Sequence, residues 1–334
     1  MTRVAVVGIG MMGRNHARVY ADLPEVELVA VVDADETQAR KAGAQFHVPY
    51  YTDYLKMIDQ EKPSAVSVVV PTSLHFPVVK DLLEAGCNVL VEKPIASTLS
   101  EGEELVKIAQ QFDRVLMVGH IERFNPAIVE LKRRLKDGEL GRIFQIHTRR
   151  LGPFPTRVQD VGVIMDLAPH DLDIMRYLTG SEVSRVYAET KREVHTSQDD
   201  LFAGMVRFED GTLGVLEINW LTPAKIRELY VTGERGMFRV NYITQDLRFY
   251  ENADSSAGSW PTISLLRGVS EGAVIQYAIR KQEPLRVELE NFIACVEGKT
   301  EIPVNGHDAI IALQLVLALM KSATQADTRR IGVR

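Results

Sequence analysis

The stretch "VAVVGIGMMGRNHARVY", residues 4–20, joins a β-branched run to a glycine-rich turn and then to a helical pattern. Its glycines, Gly8, Gly10 and Gly13, are spaced G-x-G-x-x-G. In this motif the first glycine allows a tight turn, the second lets backbone approach a pyrophosphate, and the third lets helix and strand pack closely. The N-terminus of the following helix offers free N–H groups to the same pyrophosphate. The stretch therefore predicts a dinucleotide site, to which the loop residues Met11 and Met12 also belong.

An acidic residue follows at the distance that this motif requires. Asp33 ends the second valine-rich run, twenty residues after Gly13, and Ala34 comes next rather than an arginine. A carboxylate at this position accepts hydrogen bonds from the ribose hydroxyls and repels the 2′-phosphate of NADP. The sequence therefore predicts NAD as the cofactor.

The first 120 residues show the alternating strand and helix pattern of an α/β fold. Short valine-rich runs alternate with helical stretches, and Gly86 stands where a helix ends and a left-handed residue is favoured. Near-continuous apolar strands are buried on both faces, so the sheet is expected to be parallel with helices on either side. We predict a Rossmann domain over residues 1–120.

The pattern changes after residue 120. Longer, alternating strands appear, and "FEDGTLG" (208–214) places Asp-Gly between two of them, which favours a hairpin. Residues 121–334 are therefore predicted to form an α+β domain on an open, largely antiparallel sheet, used for substrate binding and oligomerisation. Helices or another subunit would have to cover its apolar face.

Composition excludes several other classes of protein. The net charge of −6 disfavours a nucleic-acid binder. The two cysteines, Cys87 and Cys295, form no CxxC pair, which disfavours a zinc ribbon and a disulfide framework. The N-terminus lacks a signal-peptide pattern, and the apolar run "AIIALQLVLALM" (309–320) is shorter than the ~20 residues of a membrane helix. We expect a cytoplasmic protein that binds neither nucleic acid nor membrane.

Polar residues follow two later strands, at the edge where open α/β sheets bind ligands. "VVVPTSLHF" (68–76) brings Thr72 and His75 there, and "VLVEKPI" (89–95) brings Glu92 and Lys93. A lysine before proline is usually a surface turn, but its place at a strand end favours a role at the cofactor.

The stretch "MDLAPHDLD" (165–173) is compatible with a metal cluster, an acid/base site or an acidic helix start. Pro169 disfavours helix at the preceding residue and suits the first helical position, so a helix is predicted to begin there. His170 would then lie in the first turn, where the helix dipole favours its neutral, proton-accepting form. Asp171 and Asp173 would complement the dipole, and Asp166 would precede the helix.

Together these motifs resemble the Gfo/Idh/MocA family of oxidoreductases. The resemblance rests on the glycine loop and on four further stretches, "PTSLH" (71–75), "EKP" (92–94), "DLAPHDLD" (166–173) and "ELENFIACVEGKTEIPVNGHDAIIALQL" (288–315). It implies a Rossmann domain followed by an open-faced sheet that often forms a subunit interface, hence a homo-oligomer, either dimer or tetramer. It also implies NAD(P)-dependent oxidation or reduction of a sugar or cyclitol hydroxyl.

The resemblance implies roles for particular residues. Lys93, Asp166 and His170 match the family's catalytic lysine, aspartate and histidine, Glu92 a residue at the nicotinamide end of the cofactor, and Pro94 a proline that is often cis. These roles suit the chemistry, because an imidazole with an ordinary pKa near ~6.5 accepts a hydroxyl proton around neutral pH. An ammonium group stabilises the developing alkoxide. Such a site requires no metal.

Two stretches are similar to nucleotide-sugar members of the family, UDP-N-acetylglucosamine 3-dehydrogenases in particular. They are "GHIERFNPA" (119–127) and "RRLGPFPTRVQDVGVIMDLA" (149–168). Guanidinium groups suit a diphosphate. Arg149 and Arg150 are neighbours on a strand, so they point to opposite faces and at most one faces the site. Arg157 is the better candidate.

Arg123 and Asn125 contact either cofactor or substrate in this interpretation, although Asn125 before Pro126 equally suits an ordinary helix entry.

The sequence thus predicts an NAD-dependent enzyme that oxidises a sugar hydroxyl to a ketone, the 3-hydroxyl of a UDP-sugar such as UDP-N-acetylglucosamine. One alternative is a dehydrogenase of a free sugar or inositol. Another is a catalytically silent NAD-binding sensor, which the joint presence of Lys93, Asp166 and His170 disfavours.

Overall fold

The computed structural model describes residues 1–155, 162–194, 198–253 and 270–325, which form two compact units. Unit 1 comprises Met1–Phe124 and Gln282–Gln314. Unit 2 comprises Asn125–Lys281 and the chain from Leu315 onward. Residues 282–314, which the sequence-based division placed in the second domain, thus pack with the first unit.

The helices are α1 Met11–Asp22, α2 Glu36–Phe46, α3 Tyr54–Glu61, α4 His75–Glu84, α5 Leu99–Gln111, α6 Pro126–Lys136, α7 Val163–Thr179, α8 Pro284–Val296 and α9 Gly306–Gln325. Short 3₁₀ helices span Thr72–Leu74 and Ile121–Phe124. The strands of unit 1 are β1 Thr2–Val7, β2 Val26–Val32, β3 Tyr50–Tyr51, β4 Ala65–Val68, β5 Asn88–Glu92 and β6 Leu116–Gly119. Those of unit 2 are β7 Ile143–Pro153, β8 Val183–Lys191, β9 Leu201–Phe208, β10 Leu213–Asn219, β11 Leu221–Gly233, β12 Gly236–Asn241, β13 Asp246–Ala253 and β14 Ser270–Gln276.

The sheet of unit 1 is parallel throughout, with strand order β3-β2-β1-β4-β5-β6. This is the order of a dinucleotide-binding Rossmann sheet, and the predicted fold of the first half is confirmed. Residues of β1, β4 and β5 are buried on both faces, which explains their near-continuous valine content. Gly86 follows α4 with a φ of 86°, the left-handed residue that the sequence predicted.

The sheet of unit 2 has the order β14-β13-β12-β11-β7-β10-β9-β8, and within it β7 and β10 run parallel while the other neighbours pair antiparallel. The largely antiparallel sheet is therefore confirmed. The Asp-Gly turn joins β9 to β10, with Gly211 at a φ of 89°. Helix α7 packs on one face of β7, β9 and β10, while the strands also carry exposed apolar residues such as Phe144 and Met205.

Helix α9 has 20 residues and is long and apolar enough to span a membrane by length and composition. The predicted apolar run is thus part of a longer helix than the sequence analysis assumed. Part of it is buried within the units, including Leu313, Val316 and Leu319. A buried core helix passes the same length and composition test.

Candidate active site

The glycine loop between β1 and α1 has the geometry that its sequence predicts. Gly8 has a φ of 92°, and a Cβ there would lie 2.5 Å from the carbonyl oxygen of Val69. A Cβ on Gly13 would lie 1.8 Å from the carbonyl oxygen of Gly8. At Gly10, in contrast, a Cβ would meet no atom within 4 Å. Steric constraint therefore explains Gly8 and Gly13, whereas the backbone at Gly10 borders open space.

The space at Gly10 lies at the start of α1. Gly10 is the N-cap of this helix and provides no side-chain cap, and no acidic residue occupies the first turn. Met11 is 66% exposed. An uncapped helix start beside open space suits the pyrophosphate of a dinucleotide.

Asp33 braces the same loop from the end of β2. One carboxylate oxygen accepts a hydrogen bond from the Ile9 backbone N–H at 2.7 Å, and the other accepts one from the Asp35 N–H at 2.9 Å. A carboxylate oxygen has more than one lone pair, so these bonds leave acceptor capacity for ribose hydroxyls. Asp35, which the sequence analysis left out of the site, caps α2 by accepting from the N–H groups of Thr37 and Gln38.

The residues after β4 are fixed by their own backbone contacts. Both ring nitrogens of His75 lie at hydrogen-bond distance from carbonyl oxygens, Nδ1 2.8 Å from Pro94 and Nε2 3.0 Å from Val70. The side chain is buried. Burial lowers the pKa of His75, against the opposing effect of the two carbonyls. His75 thus ties the end of β4 to the Lys93–Pro94 segment, whose peptide bond is cis. Thr72 begins the neighbouring 3₁₀ helix.

Glu92, at the end of β5, is partly buried and pairs with the fully buried His16 of α1. Glu92 Oε1 lies 3.3 Å from His16 Nε2, and Oε2 accepts from the Lys93 N–H at 3.2 Å. Burial by itself raises the pKa of Glu92, but the hydrogen bond and charge of His16, together with the charge of Lys93, bring the pKa below its ordinary value. Glu92 is therefore an ionised group directly beside Lys93.

The predicted start of the histidine helix is wrong. Helix α7 begins at Val163 with Gly162 as N-cap, and Pro169 lies inside it. Val163, Ile164 and Leu167 of the added turns are buried. The free energy gained by burying these side chains offsets the loss of the backbone hydrogen bond that an interior proline removes. His170 is therefore the eighth residue of the helix rather than part of its first turn.

Because α7 begins at Val163, Asp166 and His170 both lie within the helix. Asp166 lies in the first turn of α7. Side chains four residues apart meet on one side of a helix, so Asp166 and His170 are neighbours along α7. The structure therefore brings these two residues together within unit 2. Lys93 and the glycine loop belong to unit 1.

The other aspartates of this stretch do not complement the helix dipole. Asp171 forms a buried ion pair with Arg150 of β7, with nitrogen–oxygen distances of 2.9–3.1 Å. Asp173 is also buried and lies still farther along the helix. Their predicted position in the first turn is wrong for the same reason as that of His170.

The two neighbouring arginines of β7 point to opposite faces, as predicted. Arg150 is buried in its pair with Asp171, whereas Arg149 donates to Glu217 at 2.8 Å and lies 3.8 Å from Glu228. Each arginine thus has a carboxylate partner within unit 2. Arg157 lies outside the described residues.

Arg123 and Asn125 have structural contacts of their own. Arg123 donates to the Pro303 carbonyl and to Asp308, both at 3.0 Å. The Asn125 side chain caps α6 by accepting from the Ala127 N–H and donates to the Tyr242 carbonyl at 3.0 Å. The helix-entry alternative for Asn125 is thus present in the structure, while a contact with cofactor or substrate stays a prediction for both residues.

Sequence reasoning missed two buried residues of unit 1, His16 and Glu288. His16 lies one turn after the glycine loop, and Glu288 interrupts the apolar stripe of α8 formed by Leu285, Leu289 and Phe292. A charged residue within such a stripe was the available indication. Among the described residues, His, Cys, Asp and Glu side chains form no group of three or more suited to a metal ion.

Comparisons with known proteins agree with this geometry. Residues 2–120 match the profile of the GFO/IDH/MocA oxidoreductase family with an NAD-binding Rossmann fold, and residues 128–239 match the GFO/IDH/MocA C-terminal domain. The chain is 30% identical over 304 residues to UDP-N-acetylglucosamine 3-dehydrogenase of Acidithiobacillus ferrooxidans, covering 91% of each chain. It is 28% identical over 348 residues to scyllo-inositol 2-dehydrogenase (NAD(+)) of Bacillus subtilis, covering 98% of this chain and 97% of the relative.

Solved structures show the same likeness. A structure of the Acidithiobacillus ferrooxidans UDP-N-acetylglucosamine 3-dehydrogenase superposes with a TM-score of 0.86 at 28% identity, covering 97% of each chain. The WlbA dehydrogenase of Bordetella pertussis, solved with NADH and UDP-GlcNAcA, shares the fold with a TM-score of 0.80 at 22% identity, covering 100% of this chain and 99% of that one. The glycine loop, the strand order and these matches show that the chain belongs to the Gfo/Idh/MocA family of NAD-binding oxidoreductases.

Proposed function

We propose that this protein oxidises the 3-hydroxyl of a UDP-sugar, such as UDP-N-acetylglucosamine, to a ketone with NAD as hydride acceptor. The observation that carries the proposal is the placement of Glu92 next to Lys93 at the end of β5 in unit 1, together with Asp166 and His170 one helical turn apart on α7 in unit 2. The similarity over 91% of its length to a UDP-N-acetylglucosamine 3-dehydrogenase supports the substrate class.

The cofactor is held by groups of unit 1. The pyrophosphate would bind at the start of α1, against the backbone of Gly8, Gly10 and Gly13 and beside Met11 and Met12. Asp33 would accept hydrogen bonds from the ribose, and Glu92 would line the nicotinamide end. Thr72 and Lys93 would also contact the cofactor. In our proposal His75 contributes by holding the Lys93–Pro94 segment through its contact with the Pro94 carbonyl. Bound NAD supplies the hydride acceptor.

Residues of the chain accept the proton that leaves the hydroxyl and stabilise the charge that develops on its oxygen. His170 accepts this proton, and Asp166, one helical turn earlier, orients the imidazole. Lys93 stabilises the negative charge that develops on the oxygen as the carbinol carbon becomes a carbonyl. Glu92, the neighbour of Lys93 in the chain, places a negative charge at the same end of β5.

The nucleotide part of the substrate requires a positive group. Because Arg149 and Arg150 already pair with carboxylates, Arg157 is the arginine that we assign to the diphosphate. Arg123 and Asn125 are secondary candidates for substrate contact. The alternatives are a dehydrogenase of a free sugar or inositol, favoured by the 28% identity to scyllo-inositol 2-dehydrogenase, and a silent NAD-binding sensor.

Assembly and location belong to the same proposal. Exposed apolar residues on the sheet of unit 2, including Phe144, Met205 and Val274, favour a homodimer or homotetramer formed through this sheet. We place the protein in the cytoplasm, where NAD and nucleotide sugars are available.

A substrate panel with position-specific labels tests the function. Purified protein is mixed with NAD and with UDP-N-acetylglucosamine, N-acetylglucosamine, glucose or myo-inositol, and the reduced nicotinamide is followed by absorbance. The proposal expects reduction with the UDP-sugar alone and transfer of deuterium from its C3 position to the cofactor. Reduction with inositol or glucose but not the UDP-sugar contradicts the substrate. Tight NAD binding without reduction by any of them supports the sensor.

A further inference from the structure

Glu288 is a buried carboxyl group that the proposed reaction does not use. Its side chain is 0% exposed, and within the part of the chain that the structure describes neither carboxyl oxygen has a hydrogen-bond partner. It lies on α8, which packs against α1 and against the 3₁₀ helix Ile121–Phe124. Burying an ionised carboxylate without hydrogen bonds is very costly, so such a group usually binds a proton instead.

The elements around Glu288 bring further ionisable groups toward it. Helix α1 contributes His16 and Tyr20, which lie one turn apart on its buried face. The end of β5 contributes Glu92, and the 3₁₀ helix contributes Glu122. The Tyr20 hydroxyl is already hydrogen-bonded to Ser67 at 2.8 Å. His16 contacts Glu92. The 3₁₀ helix also carries Arg123, which donates to the Pro303 carbonyl and to Asp308. Two carboxylates, Glu92 and Glu122, act on Glu288 electrostatically.

We propose that Glu288 is a positioning residue that remains a neutral carboxylic acid, so that Glu92 is the ionised member of the Glu92–Glu288 pair, which we call the buried cluster, beside Lys93. The catalytic meaning of this arrangement rests on the proposed function, because it depends on the role of Lys93. The charge arrangement itself rests on burial and on the placement of Glu92, His16 and Glu288 within unit 1.

The electrostatics of the two carboxyl groups agree with this assignment. Burial, and then the negative charges of Glu92 and Glu122, raise the pKa of Glu288 well above its ordinary value. The pKa of Glu92 is lowered instead, because His16 and Lys93 offset its burial. The pKa values of two carboxyl groups in one site move apart when a cation lies beside one of them, as Lys93 lies beside Glu92.

A consequence for catalysis follows. If Glu288 lost its proton, a second negative charge would enter the buried cluster and change the electrostatic potential at Lys93. Turnover should therefore respond to pH through a group that touches neither cofactor nor substrate.

The first test measures stability against pH in wild type, Glu288→Gln and Glu290→Gln. A carboxyl group with a raised folded-state pKa stabilises the fold fully below the ordinary value of 4.5, and this stabilisation is lost as the pH rises through the folded pKa. Relative to Glu288→Gln, the wild-type folding constant should fall by up to about tenfold per pH unit over that window. Glu290, on the same helix and paired with Arg286 at 2.9 Å near the surface, is the matched control and should give a curve parallel to wild type.

The second test begins with folded wild-type protein, so its first readout does not depend on the folding of a variant. Infrared spectroscopy of folded wild-type protein at neutral pH should show the C=O stretch of a protonated carboxylic acid. Glu288→Gln should remove this band, and Glu92→Gln should move its titration to lower pH. Absence of the band in folded wild type, or parallel stability curves for wild type and Glu288→Gln, overturns the proposal.

The third readout separates positioning from a purely structural role. Turnover of wild type and Glu288→Gln is measured against pH with whichever sugar is oxidised, and the two profiles should diverge as the pH passes the midpoint of the infrared band. Identical profiles overturn the positioning role. Because stability and infrared spectra need no substrate, failure of the UDP-sugar assignment leaves those two tests intact.

Discussion

Arg150 holds Asp171 through nitrogen–oxygen contacts of 2.9–3.1 Å, and both side chains are almost completely buried. The pair connects strand β7 to helix α7 at the residue after His170. It therefore fixes the turn of the helix that carries the proposed proton acceptor, and one of the three aspartates in 165–173 is structural.

Breaking this pair should destabilise the protein strongly. Asp171→Asn and Arg150→Met each leave one buried charge without its partner, which typically costs about 3–5 kcal/mol. The free energy of unfolding in urea measures the effect. Arg286→Met, which breaks an exposed pair with Glu290, serves as control and should cost less than about 1 kcal/mol. A loss of similar size in Asp171→Asn and in the control would contradict the structural role of the pair.

The glycine loop offers two substitutions with opposite readouts. Gly13→Ala places a Cβ 1.8 Å from the Gly8 carbonyl oxygen, so we expect a loss of about 1–3 kcal/mol or more in unfolding free energy. Gly10→Ala meets no protein atom within 4 Å, so stability should be unchanged while NAD affinity falls. Calorimetric titration with NAD and urea unfolding measure the two quantities. Unchanged NAD affinity in Gly10→Ala would show that the open space does not receive the cofactor.

His75 should make the protein sensitive to mild acid. Because burial lowers the pKa of His75, its contribution to stability is present above the ordinary value of 6.5 and is lost as the pH falls through the folded pKa. Wild type should lose up to about 1.4 kcal/mol per pH unit from this group below pH 6.5, and His75→Gln should lack that slope. Urea midpoints at pH 8 and pH 5.5 measure it.

The control for His75 is His47, an exposed residue with a φ of 57° after α2. His47→Asn preserves the left-handed conformation and should follow wild type at both pH values. A parallel response of His75→Gln and wild type would contradict a neutral, buried His75.

Asp33 should determine the choice between NAD and NADP. Asp33→Asn can still accept from the Ile9 N–H but loses the negative charge, so the preference for NAD should fall by about tenfold or more. The ratio of the two dissociation constants measures this preference. A wild-type preference for NADP would contradict the role of Asp33.

The sequence was most informative where local chemistry determines structure. The glycine spacing, the valine-rich strands, Gly86 and the Asp-Gly hairpin each predicted a feature that the structure contains. Strand alternation likewise predicted that Arg149 and Arg150 point to opposite faces. In each case the side chain or its immediate neighbours were sufficient.

The sequence was misleading where long-range packing decides. Pro169 predicted a helix start, but burial of Val163, Ile164 and Leu167 extends α7 in front of it. Nothing local predicted that Asp171 pairs with Arg150, twenty-one positions away, or that α8, which carries Glu288, packs against α1. Such contacts depend on the path of the chain between the residues, which periodicity does not describe.

In the proposed reaction Lys93 and His170 perform the proton chemistry of sugar oxidation. The most direct measurement compares the rate of NAD reduction with UDP-N-acetylglucosamine in wild type, Lys93→Ala and His170→Ala, with NAD affinity determined for each. Both variants should still bind NAD, while turnover should fall by about 10²–10⁴-fold in His170→Ala and at least tenfold in Lys93→Ala. Turnover close to wild type in either variant, measured at saturating NAD, would show that the substituted residue does not take part in the reaction.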